Sequence, residues 1–160
     1  MSAYIVDEEH IRFLVTAAKN MRLELRRAFP GVKFEVRSDR FSGGDSIDVR
    51  WRDGPTTEAV DKIAKKYKSG TFDGMQDLYE DSDSPWLDVF GDAKYVQSYR
   101  EYSGIFVRTV MAANGFAQQV TVKENGNGDA WIEALDNSTD HWARKALAES
   151  TPEKIAEVTA

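Results

Sequence analysis

Two short stretches alternate apolar with charged residues, and they constrain the fold more than any other feature. In residues 32–37, Val32, Phe34 and Val36 alternate with Lys33, Glu35 and Arg37; in residues 47–52, Ile47, Val49 and Trp51 alternate with Asp48, Arg50 and Arg52. A period of two belongs to a strand with one buried face. The segment between them, SDRFSGGDS, reads as a loop, because Gly43 and Gly44 permit backbone angles closed to other residues. An antiparallel hairpin is the simplest pairing.

Helices flank that hairpin. Ile11, Leu14, Val15, Ala18, Met21, Leu25, Ala28 and Phe29 recur at three and four residues, which predicts one long helix or two abutting ones over 8–29. Asp7, Glu8 and Glu9 suit its positive end, Arg26 and Arg27 its negative end, and Pro30-Gly31 stops it. After the hairpin, Asp53-Gly54 turns the chain and Pro55 starts a second helix. Val60, Ile63, Ala64 and Tyr67 are its buried stripe, and Gly70 marks its end. Residues 8–70 therefore read α-β-β-α. Residues 71–92 are rich in turn formers but carry many large apolar groups, so they are expected to be packed with little regular structure. Residues 94–102, KYVQSYREY, are a candidate strand.

The remainder repeats the pattern. A short helix opens at Ser103 or Gly104 and closes near Asn114-Gly115. Strands around Val120–Val122 and Ala130–Ala134 flank NGNG, a strong hairpin signal. A helix capped by Asn137, Ser138 or Thr139 follows, and Pro152 restarts a last one. The expected fold is α+β: antiparallel hairpins covered by helices, as two successive α-β-β-α units in one compact domain spanning 1–160.

Charge is distributed unevenly. The net −6 hides a +3 segment at 1–72, a −7 segment at 73–93 with no Lys or Arg, and −2 over 94–160. Zero cysteines exclude disulfides, Cys-ligated metals and a thiol nucleophile. No apolar run is long enough to span a membrane, and residues 1–15 lack the pattern of a secretory signal, so a cytoplasmic location is expected.

Catalytic and metal motifs fail. No phosphate-binding glycine loop or H-E-x-x-H occurs. A calcium loop starting at Asp81 would need glycine sixth and glutamate twelfth; the chain has Trp86 and Asp92 there. His10 and His141 adjoin acids only at the next position along a helix, which points away. No catalytic residue, cofactor or metal site is expected.

Two binding candidates remain. On the charged face of the hairpin, Lys33, Arg37, Arg50 and Arg52 stand against Glu35 and Asp48, with Arg40 and Phe41 in the connecting loop. Basic side chains beside an aromatic can hold phosphates and stack a base. Cross-strand pairing of the same charges would instead merely stabilise a sheet. The other candidate is the acidic set Asp73, Asp77, Glu80, Asp81, Asp83, Asp88 and Asp92, which could mimic a phosphate backbone toward a basic protein.

The pieces FPGVKFEVRS, FSGGDSIDVRW, DGPT and FDGMQDLYE, in that order over residues 29–80, resemble the large polyvalent protein-associated domains. AAKNMRLELRRAF before them and KYVQSYREYS after them extend the resemblance over roughly residues 17–103. The family takes its name from multidomain proteins of phages and conjugative elements. The resemblance implies a protein of a mobile genetic element or its bacterial host, and it brings no assigned catalytic residues to carry over. The expected function is non-enzymatic binding, engaging a host DNA-handling or defence protein. The alternative is a nucleic-acid-binding module built on the basic hairpin, and an enzyme with dispersed carboxylates ranks last. Oligomeric state is left open.

Overall fold

A computed structural model describes residues 8–73, 78–81 and 85–159, with the side chains at 8–11, 71–84 and 159 outside that description. The fold is α+β. Helix α1 (Glu8–Ala28) leads into strands β1 (Glu35–Phe41) and β2 (Gly44–Arg52), followed by α2 (Thr57–Ala64) and a 3-10 turn at Lys65–Tyr67. Strands β3 (Gly70–Asp73) and β4 (Leu78–Asp81), helix α3 (Pro85–Phe90) and strand β5 (Tyr95–Glu101) come next. Then α4 (Gly104–Ala113), β6 (Val120–Glu124), β7 (Ala130–Ala134), α5 (Asn137–Glu149) and α6 (Pro152–Thr159) complete the chain. The order α1-β1-β2-α2 and again α4-β6-β7-α5 matches the two α-β-β-α units expected. No helix among the described residues is long and apolar enough to cross a membrane.

Two compact units divide the chain, one from residues 1–50 and 60–99, the other from 51–59 and 100–160. In the first, α1 buries Leu14, Ala17, Ala18, Met21 and Leu25 on one stripe. β1 pairs antiparallel with β2, Val36 opposite Val49 and Phe41 opposite Gly44. The strand order is β1-β2-β5. A bond near each end sets the direction of β5. The Lys94 amide donates to the Asp45 carboxylate at 2.7 Å where β2 begins, and the Asp53 amide donates to the Glu101 carbonyl at 2.8 Å where it ends. β5 thus runs parallel to β2, an addition to the antiparallel hairpins expected.

Four local expectations need correction. The first hairpin has no long loop: β1 extends to Phe41 and only Ser42-Gly43 turn the chain, so Arg40 and Phe41 are strand residues. Residues 32–34 precede the strand, because Gly31 at φ +84° and the Val32 amide bonded to Phe29 O still belong to the helix exit. The second helix ends at Ala64 in a tightened turn, and Gly70 starts β3. Bonds between Ala93 N and Tyr67 O, and Ser69 N and Ala93 O, both 2.8 Å, pull the chain out of helix there. Finally, 71–92 holds regular structure: β3 pairs antiparallel with β4, Gly70 opposite Asp81, and α3 follows.

The second unit packs around Phe106, Val107, Val110, Met111, Ile132 and Leu147. Ser103 caps α4 by accepting the Phe106 amide at 3.2 Å. Asp136, one residue before the three caps expected, caps α5: its carboxylate takes the Thr139 amide and hydroxyl, both at 2.8 Å. Those bonds hold the Asp136 carboxyl below its ordinary range, the backbone amide first.

Candidate functional site

The outward face of β1, β2 and β5 in the first unit is the candidate site. Along β2, Asp45, Ile47 and Val49 are buried, so Ser46, Asp48 and Arg50 point the other way. Val36 alone is buried on β1, which puts Glu35, Arg37, Asp39 and Phe41 on that outward face. Val96 plays the same part on β5, leaving Tyr95, Gln97 and Tyr99 outward.

Three aromatic groups are exposed on it. Phe41 is 49% exposed, and Tyr95 and Tyr99 are each 38% exposed. Phe41 and Tyr95 stack with centroids 6.0 Å apart and planes 24° apart. The Arg50 guanidinium lies 4.6 Å from the centre of the Tyr99 ring. Four residues separate Tyr95 from Tyr99, about 13 Å along a strand. Arg37 is paired with Glu35. The face thus carries two arginines against three acids, Glu35, Asp39 and Asp48, and its net charge is small.

Beneath it the scaffold is fixed. Asp45, 1% exposed, is the sole buried charged residue among those described, and its bond to the Lys94 amide holds the start of β5. The Lys94 ammonium reaches back to Gly43 O at 3.0 Å. On the helical side, the Tyr67 hydroxyl and the Lys66 ammonium both donate to Glu24 at 2.5 Å. Burial alone would raise the Glu24 carboxyl, but these two donors outweigh it and hold it below its ordinary range. Burial, followed by the bond to Glu24, pushes the Tyr67 phenol well above its ordinary value.

The residues singled out from sequence scatter. Arg37, Phe41 and Arg50 share the outward face. Arg40 alternates to the opposite side of β1, beside Asp45 of β2 in the register. Lys33 lies in the segment before β1. Arg52 belongs to the second unit, where it donates to Asp129 Oδ1 at 2.5 Å and Asn127 O at 3.1 Å. In the acidic set, Asp73, Asp77, Glu80, Asp81 and Asp83 lie outside the described side chains. Asp88 is exposed on α3, and Asp92 is half-buried after it. Asp140 bonds Arg144 at 2.7 Å, and His141 packs its ring on Trp142. The residues missed were Tyr95, Gln97 and Tyr99. Their signal was present in KYVQSYREY, where they alternate with Val96 and Ser98.

The model of one protein family, large polyvalent protein associated domain 29, matches residues 14–103, more than half of the chain. No curated protein and no solved structure matches it.

Proposed function

The chain belongs to the large polyvalent protein associated domain 29 family, and from its open sheet face we propose that it is a non-catalytic, protein-binding domain. The partner we infer is a host protein that handles DNA or defends against a mobile element. One observation carries this reading: three exposed aromatics and an arginine share one sheet face of small net charge. Aromatic and arginine side chains supply most of the binding energy where proteins meet, because they bury large area at low entropic cost. Sheet aromatics also stack nucleic-acid bases, which gives a second reading. Electrostatics favours the first. Glu35, Asp39 and Asp48 face outward beside the rings, Arg37 is paired, and the chain carries −6. Such a face offers a phosphate backbone no net attraction, and the charge of the whole chain opposes its approach.

The test captures host proteins on the purified chain, with nuclease-treated and untreated lysate in parallel, using the wild type and the Tyr95→Ala/Tyr99→Ala variant. Capture that survives nuclease and is lost in the variant supports the reading. Capture that nuclease abolishes, or a salt-sensitive gel shift of single-stranded DNA lost on Arg50→Ala, transfers the face to nucleic acid.

A further inference from the structure

A second feature of the first unit has no part in the sheet face. Where α1 hands over to β1, a cavity of about 160 Å³ is lined by Arg22, Arg26, Val32, Lys33 and Phe34. Three of its five lining residues are cations and none is an acid. Their convergence follows from the local chain path. Arg22 and Arg26 are four residues apart on α1 and so project from one side of it. The turn at Pro30-Gly31 then reverses the chain, with Gly31 at φ +84° and the Val32 amide bonded to Phe29 O. Phe29 and Phe34 pack with centroids 5.9 Å apart, which closes the turn and delivers Lys33 to the two arginines.

The three cations are not used up by the fold. Arg22 donates through one Nη to the Val36 carbonyl, an interaction that fixes the guanidinium and leaves its other donors open. Arg26 and Lys33 have no hydrogen-bond or ion-pair partner among the described residues. The nearby carboxylates are spoken for: Glu24 by Lys66 and Tyr67, and Glu35 by Arg37. The negative end of the α1 dipole, equivalent to about half a charge, accounts for only part of this positive charge. Three like charges around one small cavity repel one another, and an anion seated among them relieves that repulsion.

We infer that this cavity is an anion site for a terminal phosphate group, whether free inorganic phosphate or the monoester of a small molecule such as a nucleotide. Paired guanidinium groups match the oxygens of a phosphate, and the ammonium adds a point charge. Val32 and Phe34 supply an apolar wall on which the organic part of a nucleotide can rest. The inference stands independently of the protein-binding reading, since the two use different residues.

The experiment is an NMR titration of the full chain with inorganic phosphate, 5′-AMP, adenosine and sulfate, repeated on Arg26→Gln/Lys33→Gln. Both positions are exposed, so the variant is expected to unfold at the wild-type midpoint. Phosphate or AMP should shift the amides of residues 22–36, and the double variant should bind about a hundredfold more weakly, tenfold per cation removed. AMP binding should tighten as pH rises through about 6, where its phosphate becomes a dianion. Sulfate remains a dianion across this range and should show no such trend. Stronger binding of AMP than phosphate identifies the nucleotide as the source; equal binding identifies the phosphate group alone. No binding by either, equal binding of adenosine and AMP, or full affinity in the double variant overturns the inference.

Discussion

Replacing Arg100 tests how the second unit is held together. Its guanidinium donates to five backbone carbonyls: Nε to Asp53 at 2.6 Å, Nη1 to Leu147 at 3.3 Å and Ala148 at 3.2 Å, Nη2 to Gly54 at 3.0 Å and Ser150 at 2.7 Å. Two of these belong to the last turn of α5, where carbonyls have no partner within the helix. Two belong to the Asp53-Gly54 turn. The plane of the group also lies 5.0 Å from the Tyr102 ring and 5.4 Å from the Phe106 ring. Burial draws the Arg100 pKa below the ordinary arginine value, but an arginine so shifted remains charged at neutral pH.

Arg100→Met keeps the apolar stem and removes every donor. Water can reach some of the five carbonyls, because the residue is half-buried. Counting two bonds lost outright, at about 1.5 kcal/mol each for a charged donor, gives about 3 kcal/mol. That is a large part of the stability of a small domain. Arg100→Lys should cost about half as much, since three donors on a point charge reach at most three of the carbonyls. Urea denaturation measures both. Hydrogen exchange localises the loss: the Ser150 amide, bonded to Ala146 O at 3.1 Å, should lose protection first. A cost under 1 kcal/mol for the methionine variant, or unchanged exchange at Ser150, refutes the account.

Gly91 has φ +83°, and a Cβ there would lie 2.6 Å from Ala17 N and closer still to the Phe13 carbonyl. Gly91→Ala should therefore cost roughly 3 kcal/mol or more in urea denaturation, from backbone strain plus overlap with α1. Glu24 has a folded pKa below its unfolded one, so its contribution is present above about pH 4.3 and lost as pH falls through the folded value. Stability measured from pH 6 to pH 3 should drop less steeply in Glu24→Gln. Tyr95→Ala/Tyr99→Ala should abolish capture at a cost of about 2 kcal/mol in urea denaturation, from the lost stack on Phe41 and the lost Arg50 contact, so the variant stays folded.

The elements were legible where one periodicity ruled. Val36, Ile47, Val49 and Trp51 are all buried as the alternation required, and α1 ends within one residue of the expected place. The register was less legible. SDRFSGGDS reads as a loop because Ser, Asp and Gly favour turns, yet cross-strand pairing carries the strand through Ser38–Phe41, leaving a turn of two residues. That moved Arg40 off the candidate face and kept Phe41 on it. Arg52 was placed with the basic patch by alternation alone. Its bonds to Asp129 and Asn127 join it to residues 75 or more positions away, which no local pattern encodes. The α2 exit was misjudged for the same reason, since the bonds that end it come from Ala93.

Among the residues that carry the family resemblance, Asp53 of DGPT serves the scaffold, and its contacts show how. It is the one residue other than glycine with positive φ among those described, at 57°. Its carboxylate accepts the Ser103 amide at 2.8 Å and the Ser103 hydroxyl at 2.7 Å, its carbonyl accepts Arg100, and the Trp51 indole donates to Pro55 O two residues on. One strained residue thus ties the end of β2 to the N-cap of α4. A graded series separates its two roles. Asp53→Gly removes the carboxylate but relieves the left-handed strain: two bonds to a charged group at about 1.5 kcal/mol each, less about 1 kcal/mol of strain, set its cost near 2 kcal/mol. Asp53→Ala loses the same two bonds and keeps a Cβ in that conformation, so nothing offsets their loss and the cost is about 3 kcal/mol. Asp53→Asn tolerates the conformation and keeps an acceptor for Ser103, so it should cost under 1 kcal/mol. Equal destabilisation by glycine and alanine in urea denaturation would show that the backbone at 53 stores no strain. A cost for asparagine matching that of alanine would remove the carboxylate's geometry as the reason this motif holds an aspartate.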